Sequence, residues 1–116
     1  MESIGTLDIQ VADSEIVDFH IDAPDSEGYI IGRSDSDREY LPDIDLAPYG
    51  ARDQGVSRRH AVLVRFKGQV HIVDLQSVNG TFLNDERLLP EVPYPIQSGD
   101  RLRLANLDLA IQQIVI

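Results

Sequence analysis

Apolar residues in this chain recur with a period of two almost throughout, and that alternation constrains the fold more than any other feature. Leu7-Asp8-Ile9-Gln10-Val11 alternates, as do Ile16 to Ile21 and Ile44 to Leu46. A period of two sends successive side chains to opposite faces of an extended strand. Ala61 to Phe66 and Val70 to Leu75 are rich in β-branched residues, and Lys67-Gly68-Gln69 between them reads as a tight hairpin. Arg101 to Leu104 alternates again, and Leu107 to Ile116 reads as a final apolar strand. Glycines and prolines punctuate the intervals, and no window sustains a 3.6-residue stripe. The pattern predicts an all-β protein, an antiparallel β-sandwich of about eleven strands.

At 116 residues the chain can bury one core but not two. Residues 1–116 are therefore read as a single domain without internal repeats or an interior linker. The residues before Gly5 are expected to fray. The absence of cysteine excludes disulfides, a thiolate zinc site and a cysteine nucleophile, and fits a reducing compartment. No apolar run approaches a membrane span, and MESIGTLDIQ lacks the basic and apolar regions of a secretory signal. A cytoplasmic location is the expectation.

Twenty acids against ten bases give a net charge of −10, which argues against a nucleic-acid or anionic-membrane binder. The charge is unevenly spread. Residues 1–50 carry 13 acids and two bases, Arg33 and Arg38, whereas residues 51–67 carry five bases against Asp53 alone. Nine of the ten cations are arginine, whose planar fork suits oxyanions. The basic stretch lies in the long loop from Ala47 to Arg59, and loops on a rigid scaffold commonly carry function.

Catalysis and metal binding find little support. Ser57, His60 and Asp74 supply the letters of a hydrolase triad, but no strained nucleophile elbow accompanies them. His20, His60 and His71 lack ligand spacing. Asp35-x-Asp37 lacks the glycine and terminal glutamate of a calcium loop, so the acidic run Asp35 to Glu39 reads as a solvated loop. No glycine-rich nucleotide loop follows a strand, and no cofactor is implied.

A more specific constellation remains. Gly32-Arg33 ends a strand, Ser57-Arg58-Arg59-His60 follows 25 residues after Gly32, and Ser77-Val78-Asn79-Gly80-Thr81 begins 20 residues after Ser57. Asn84 and Gly99-Asp100 come next. In this order and spacing, from about Tyr29 to Leu104, they resemble the forkhead-associated (FHA) domain, a reader of phosphothreonine. A phosphate monoester carries nearly two charges and three acceptor oxygens, so it needs a fixed guanidinium, a short hydroxyl and backbone donors converging on one point. The resemblance implies that Arg33 and Ser57 bind the phosphate and that Arg58 assists. Asn79, both donor and acceptor, would hold the extended peptide backbone. Thr81 lies close enough to help, and Val78 would line a pocket for the threonine methyl.

Gly32, His60, Gly80 and Asn84 are expected to support the site: the glycines through their backbones, with Gly80 at positive φ, His60 as a buried loop brace, and Asn84 as a tie between loops. Asp100 is expected in a turn before the penultimate strand, and Arg59, at the variable position of the motif, as a solvated surface charge, with electrostatic steering of ligand the lesser alternative. Val78 departs from the family pattern, since many phosphothreonine binders have a hydroxyl residue there that donates to the phosphate. Losing such a bond costs roughly 1.5–3 kcal/mol. The loop from Ala47 to Gly55 also looks longer than the shortest family versions, leaving Tyr49 and Arg52 to contact ligand or to pack the loop. The implied partner is a phosphothreonine peptide, with neither nucleic acid nor membrane. The competing expectation is the same sandwich used as a phosphate-independent scaffold or self-association module, towards which Val78 and the acidic surface lean.

Overall fold

The computed structural model describes residues 5–36 and 39–116; residues 1–4, expected to fray, and Asp37 and Arg38 of the acidic loop lie outside that range. Among the described residues, eleven strands form two packed sheets. One sheet has the order β2-β1-β11-β10-β7-β8 and the other β4-β3-β5-β6-β9. The strands are β1 (Thr6–Val11), β2 (Phe19–Asp22), β3 (Tyr29–Gly32), β4 (Ile44–Asp45), β5 (Arg59–Phe66), β6 (Gln69–Asp74), β7 (Thr81–Leu83), β8 (Glu86–Arg87), β9 (Tyr94–Pro95), β10 (Arg101–Leu104) and β11 (Leu107–Val115). The sandwich is the architecture that the period-two pattern predicts.

Alternation does the work in the first sheet. Leu7, Ile9 and Val11 of β1 and Leu107, Leu109 and Ile111 of β11 all point inward and are buried. They meet Ile31, Leu63 and Ile72 of the second sheet, which are fully buried. Each such side chain contributes roughly 1.5–3 kcal/mol on leaving water. Lys67 and Gly68 take φ of 52° and 78°, the left-handed pair that a two-residue hairpin between β5 and β6 demands.

Three details differ from the sequence expectation. β2 begins at Phe19 rather than Ile16, and Ile16 and Val17 are exposed. The Asp18 carboxylate accepts the Val11 N–H at 2.7 Å and closes a turn over residues that alternation alone would extend. The sandwich is also not wholly antiparallel, because β3 and β4 pair in parallel, Ile31 opposite Ile44. Because they run parallel, β3 and β4 both end where the site lies. Finally, Ala47–Tyr49 forms a single 3-10 turn, closed by Gly50 at φ 76°.

One irregularity positions the functional end. β3 and β5 pair Ile31 with Ala61 but Gly32 with Arg59, so His60 is the extra residue of a β-bulge. A bulge breaks strict alternation and re-aims a side chain. Here it turns His60 and Ala61 inward together, and both are fully buried.

Candidate functional site

Four loops gather at the end of the sandwich where β3 stops and β5 starts: residues 33–43, 46–58, 75–80 and the turn 105–106. Gly32 permits their closest approach. A Cβ at Gly32 would fall 1.8 Å from the Arg58 carbonyl oxygen, so only glycine lets β3 run against the 57–58 backbone. The Arg33 N–H then donates to the Arg58 carbonyl at 3.2 Å, and Leu46 N–H to the Gly32 carbonyl at 2.8 Å.

Three buried or half-buried polar side chains brace these loops. His60 accepts the Ser57 N–H at Nδ1 (3.0 Å), and its Nε2 donates to the Gly80 carbonyl at 2.8 Å. That pair of bonds requires the neutral ring, one nitrogen accepting and the other donating. Burial pushes the imidazole below its ordinary 6.5, outweighing the Gly80 carbonyl and the nearby Asp74 charge, which favour protonation. The expected loop brace is thus realised, tying the loop of Ser57 to that of Gly80. Gly80 sits at φ 89°, as expected, with the Arg87 guanidinium packed over it.

Asp74, buried at the end of β6, organises the 75–80 loop. Its carboxylate accepts the Ser77 hydroxyl at 2.5 Å, the Ser77 N–H at 3.2 Å and the Thr81 hydroxyl at 2.7 Å, while Ser77 Oγ accepts the Gly80 N–H at 3.1 Å. Asp45 plays the same part for the 33–43 loop, accepting the Ser34 N–H (2.9 Å), the Ser34 hydroxyl (2.6 Å) and the Ala47 N–H (3.0 Å). Burial raises the Asp45 carboxyl, but those bonds outweigh it and hold the group below the ordinary carboxylate range.

Ser57, His60 and Asp74 do not form a relay. His60 Nδ1 faces the Ser57 backbone instead of its hydroxyl, and Asp74 is spent on Ser77 and Thr81. Among the described residues, no three His, Asp or Glu side chains converge to hold a metal ion.

What the loops enclose is a cleft of about 850 Å³, lined by Arg33, Glu39, Tyr40, Ser57, Arg58, Arg59 and Val78. Arg33, Ser57, Arg58 and Val78, far apart in sequence, are brought together there. Arg33 is held from behind, its Nε donating to the Val56 carbonyl at 2.7 Å and its Nη1 to the Asp35 carboxylate. Among the described residues the Ser57 hydroxyl bonds to no protein group. Val78 is 83 % exposed and lines the cleft. Arg59, expected as a solvated charge, is exposed yet lines the same wall.

Other candidates fall elsewhere. Asn79 lies beside the cleft, with its side-chain amide donating to the Gly55 carbonyl at 3.0 Å. It therefore braces the 46–58 loop and keeps its carbonyl oxygen and one amide hydrogen for other partners. Thr81 is fully buried and gives its hydroxyl to Asp74, so it supports the loop and cannot reach ligand. Asn84 ties two loops together as expected, but away from the cleft. It sits past the far end of β7, about 10 Å along the strand from Thr81. There it holds the start of β10 by accepting the Arg101 N–H at 2.9 Å and donating to Asp100 at 3.2 Å. Asp100 closes the turn before β10, accepting the Gln97 N–H at 2.8 Å. Tyr49 packs against Phe19, ring centroids 5.9 Å apart, and belongs to the core side of its loop.

Sequence reasoning missed four residues here. Asp74 was legible as a loop organiser, since an aspartate at a strand end with a serine three residues later is a turn signal; Asp45 was legible only through its bond to the Ala47 N–H two residues on, because its other partner, Ser34, lies eleven residues upstream. Asp35 and Tyr40 had no such signal, since only the path of the 33–43 loop places them. The Tyr40 hydroxyl is buried and without a hydrogen-bond partner among the described residues. Burial raises it above the ordinary phenol range, with Asp43 adding to the effect and Arg59 opposing it.

Comparison with known proteins agrees with this geometry. Residues 29–105 match the model of the FHA domain family. The chain is 34 % identical over 97 residues, 82 % of its length, to the protein phosphatase 1 regulatory inhibitor subunit PPP1R8 homolog of Arabidopsis thaliana. It spans 23 % of that relative. Among solved structures it is similar to Mycobacterium tuberculosis EmbR in complex with a low-affinity phosphopeptide (TM-score 0.67, 26 % identity, 92 % of this chain and 24 % of that one). It also resembles a structure from an analysis of phosphothreonine-dependent FHA domain interactions (TM-score 0.68, 23 % identity, 93 % and 96 % covered).

Proposed function

The chain belongs to the FHA domain family, and from that premise we propose that it is a binding module without catalysis of its own, which reads phosphothreonine in a partner protein. The single observation that carries this reading is the convergence of Arg33, Ser57 and Arg58, from two loops, on one open cleft. Arg33 emerges from the end of a strand and is anchored through Nε to Val56, so its guanidinium is preorganised. Ser57 offers a hydroxyl, and its N–H is fixed by His60. Arg58 and Arg59 add charge at the mouth. Tyr40 adds an aromatic side chain to the cleft wall. Asn79 takes the ligand main chain with the carbonyl oxygen and amide hydrogen left after its bond to Gly55. Val78 faces the γ-methyl of threonine, an apolar contact that phosphoserine lacks.

Residues 1–116 form, in this proposal, one such module, and a cytoplasmic location rests on the cysteine-free composition. No helix among the described residues is long and apolar enough to cross a membrane.

The test is one titration of a degenerate peptide library in three forms, with phosphothreonine, phosphoserine or unmodified threonine at a fixed central position. Binding that ranks phosphothreonine over phosphoserine over threonine supports the proposal. Equal binding of all three favours the scaffold reading and removes phosphate recognition.

A further inference from the structure

Arg33, the central residue of the proposed site, already has an anion beside it. Its Nη1 donates to Asp35 Oδ1, and the two side chains are only 18 % and 20 % exposed. The other carboxylate oxygen of Asp35 lies 4.0 Å from Arg58 Nε. One internal carboxylate therefore stands between the two cations that the proposed function assigns to phosphate. Its position is built into the fold, because the preceding residue, Ser34, is clamped by Asp45 through backbone and side chain at 2.9 and 2.6 Å.

We propose that Asp35 is an internal competitor for the phosphate and sets a charge threshold on the ligand. The inference rests on the phosphopeptide reading above and deepens it. A ligand carboxylate would bring one charge, which Asp35 already supplies from within the chain at no cost of association. A phosphate monoester brings nearly two charges and three acceptor oxygens, enough to reach Arg33, Arg58 and the Ser57 hydroxyl together. Only the phosphate gains by the exchange, in which Asp35 either swings aside or stays and repels the incoming anion. Glu39, on the same wall, adds to that repulsion, while Arg59 offsets it. The site thus sets a bar that a phosphorylated threonine clears and that a glutamate or aspartate in the same sequence, with one charge and two oxygens, does not.

The test measures wild type, Asp35→Asn and Arg33→Ala by fluorescence anisotropy against the degenerate library with phosphothreonine, glutamate or threonine at its centre. If Asp35 competes, Asp35→Asn binds the phosphothreonine library about 3- to 10-fold more tightly, as expected when a competing state is removed. The glutamate library gains by a comparable factor, because removing a competing state raises the apparent affinity of every anion for that site, and its binding rises towards the measurable range. Unchanged or weaker binding of phosphothreonine by Asp35→Asn overturns the inference and makes Asp35 a mere orienter of Arg33. Glutamate binding that does not rise with it overturns the threshold. Phosphate-dependent binding that Arg33→Ala abolishes leaves the proposed function standing in both cases. If neither wild type nor Asp35→Asn distinguishes phosphothreonine from threonine, the proposed function falls and takes the inference with it. Should Asp35→Asn fold poorly, as judged by its urea midpoint, Asp35→Ser is read by the same criteria.

Discussion

The two ends of the sandwich are made from the same strands but carry opposite charge. Where β3 ends and β5 begins, Arg33, Arg58 and Arg59 line the larger cleft. Where β3 begins and β5 ends, the loop between β2 and β3 encloses a smaller one of about 460 Å³, walled by Asp22, Asp25, Glu27 and Tyr29, with Arg65 beside them. The polar groups are also spent differently. The Asp25 carboxylate is taken up by the N–H groups of Gly28 and Glu27, which hold it below the ordinary carboxylate range. Burial and the surrounding carboxylates Asp22, Asp25 and Asp43 raise the Tyr29 phenol. That end is a self-satisfied acidic turn that repels anions. The other end spends Asp45 and Asp74 on bracing loops and Asp35 on Arg33, and leaves the Ser57 hydroxyl, Arg58 and Arg59 facing the cleft. The lesson is that one scaffold supplies an opening at each end, and the loops decide the charge that each presents.

The sharpest way to break this contrast is Arg33→Ala. Truncating one partner of a close charge pair costs about 2–4 kcal/mol, so phosphothreonine-peptide affinity should fall by about 30- to 1,000-fold in isothermal titration. Retained affinity would move the site away from this end.

A smaller effect should appear in stability against pH. His60 ties two of the site loops, and its proton affinity in the folded state is below the ordinary 6.5. The unfolded chain therefore binds a proton more readily. The contribution of the neutral ring is complete above pH 6.5 and is lost as pH falls below it, with a slope of at most about 1.4 kcal/mol per pH unit. Urea denaturation between pH 7.5 and 5.5 should show this decline. Moreover, amide exchange should report loosening at residues 57–60 and 77–80 before the β2–β3 loop. A flat profile would mean that the brace is not what holds the site end together.

The smallest effect sharpens the comparison from the other side. Arg65→Ala lies six residues along β5 from Arg59, about 20 Å at roughly 3.3 Å per residue. It should leave phosphopeptide affinity within twofold. A larger loss would show that the charge of the acidic end reaches the site.

Much of this was legible in the order of residues, for stated reasons. Period-two alternation in 7–11, 61–66 and 101–104 reports which faces are buried, because a strand sends neighbours to opposite sides. Lys67-Gly68 announced its hairpin through the backbone freedom of glycine. The spacing of Gly32-Arg33, Ser57-Arg58 and Asn79-Gly80 located the residues that meet or flank the cleft. Alternation failed at Ile16-Val17, where the side chain of Asp18 captured a backbone donor and ended the pattern. It also failed at His60, where a bulge overrides it, and it could not distinguish the parallel β4 from an antiparallel strand.

The sequence by itself therefore determined the sandwich and the positions that face its core, and its resemblance to the FHA family pointed to Arg33, Ser57 and Arg58, which the fold brings to one cleft. The first two follow from local rules of period and turn chemistry. Only the tertiary structure decided that Thr81 is buried under Asp74, that Asn84 serves the opposite end of β7, and that Tyr40 and Glu39 line the cleft. It alone placed Asp35 between Arg33 and Arg58. The reason is physical: a hydroxyl or carboxylate in a loop takes whichever partner the packed loops bring within 3 Å, and nothing in its neighbours along the chain specifies which.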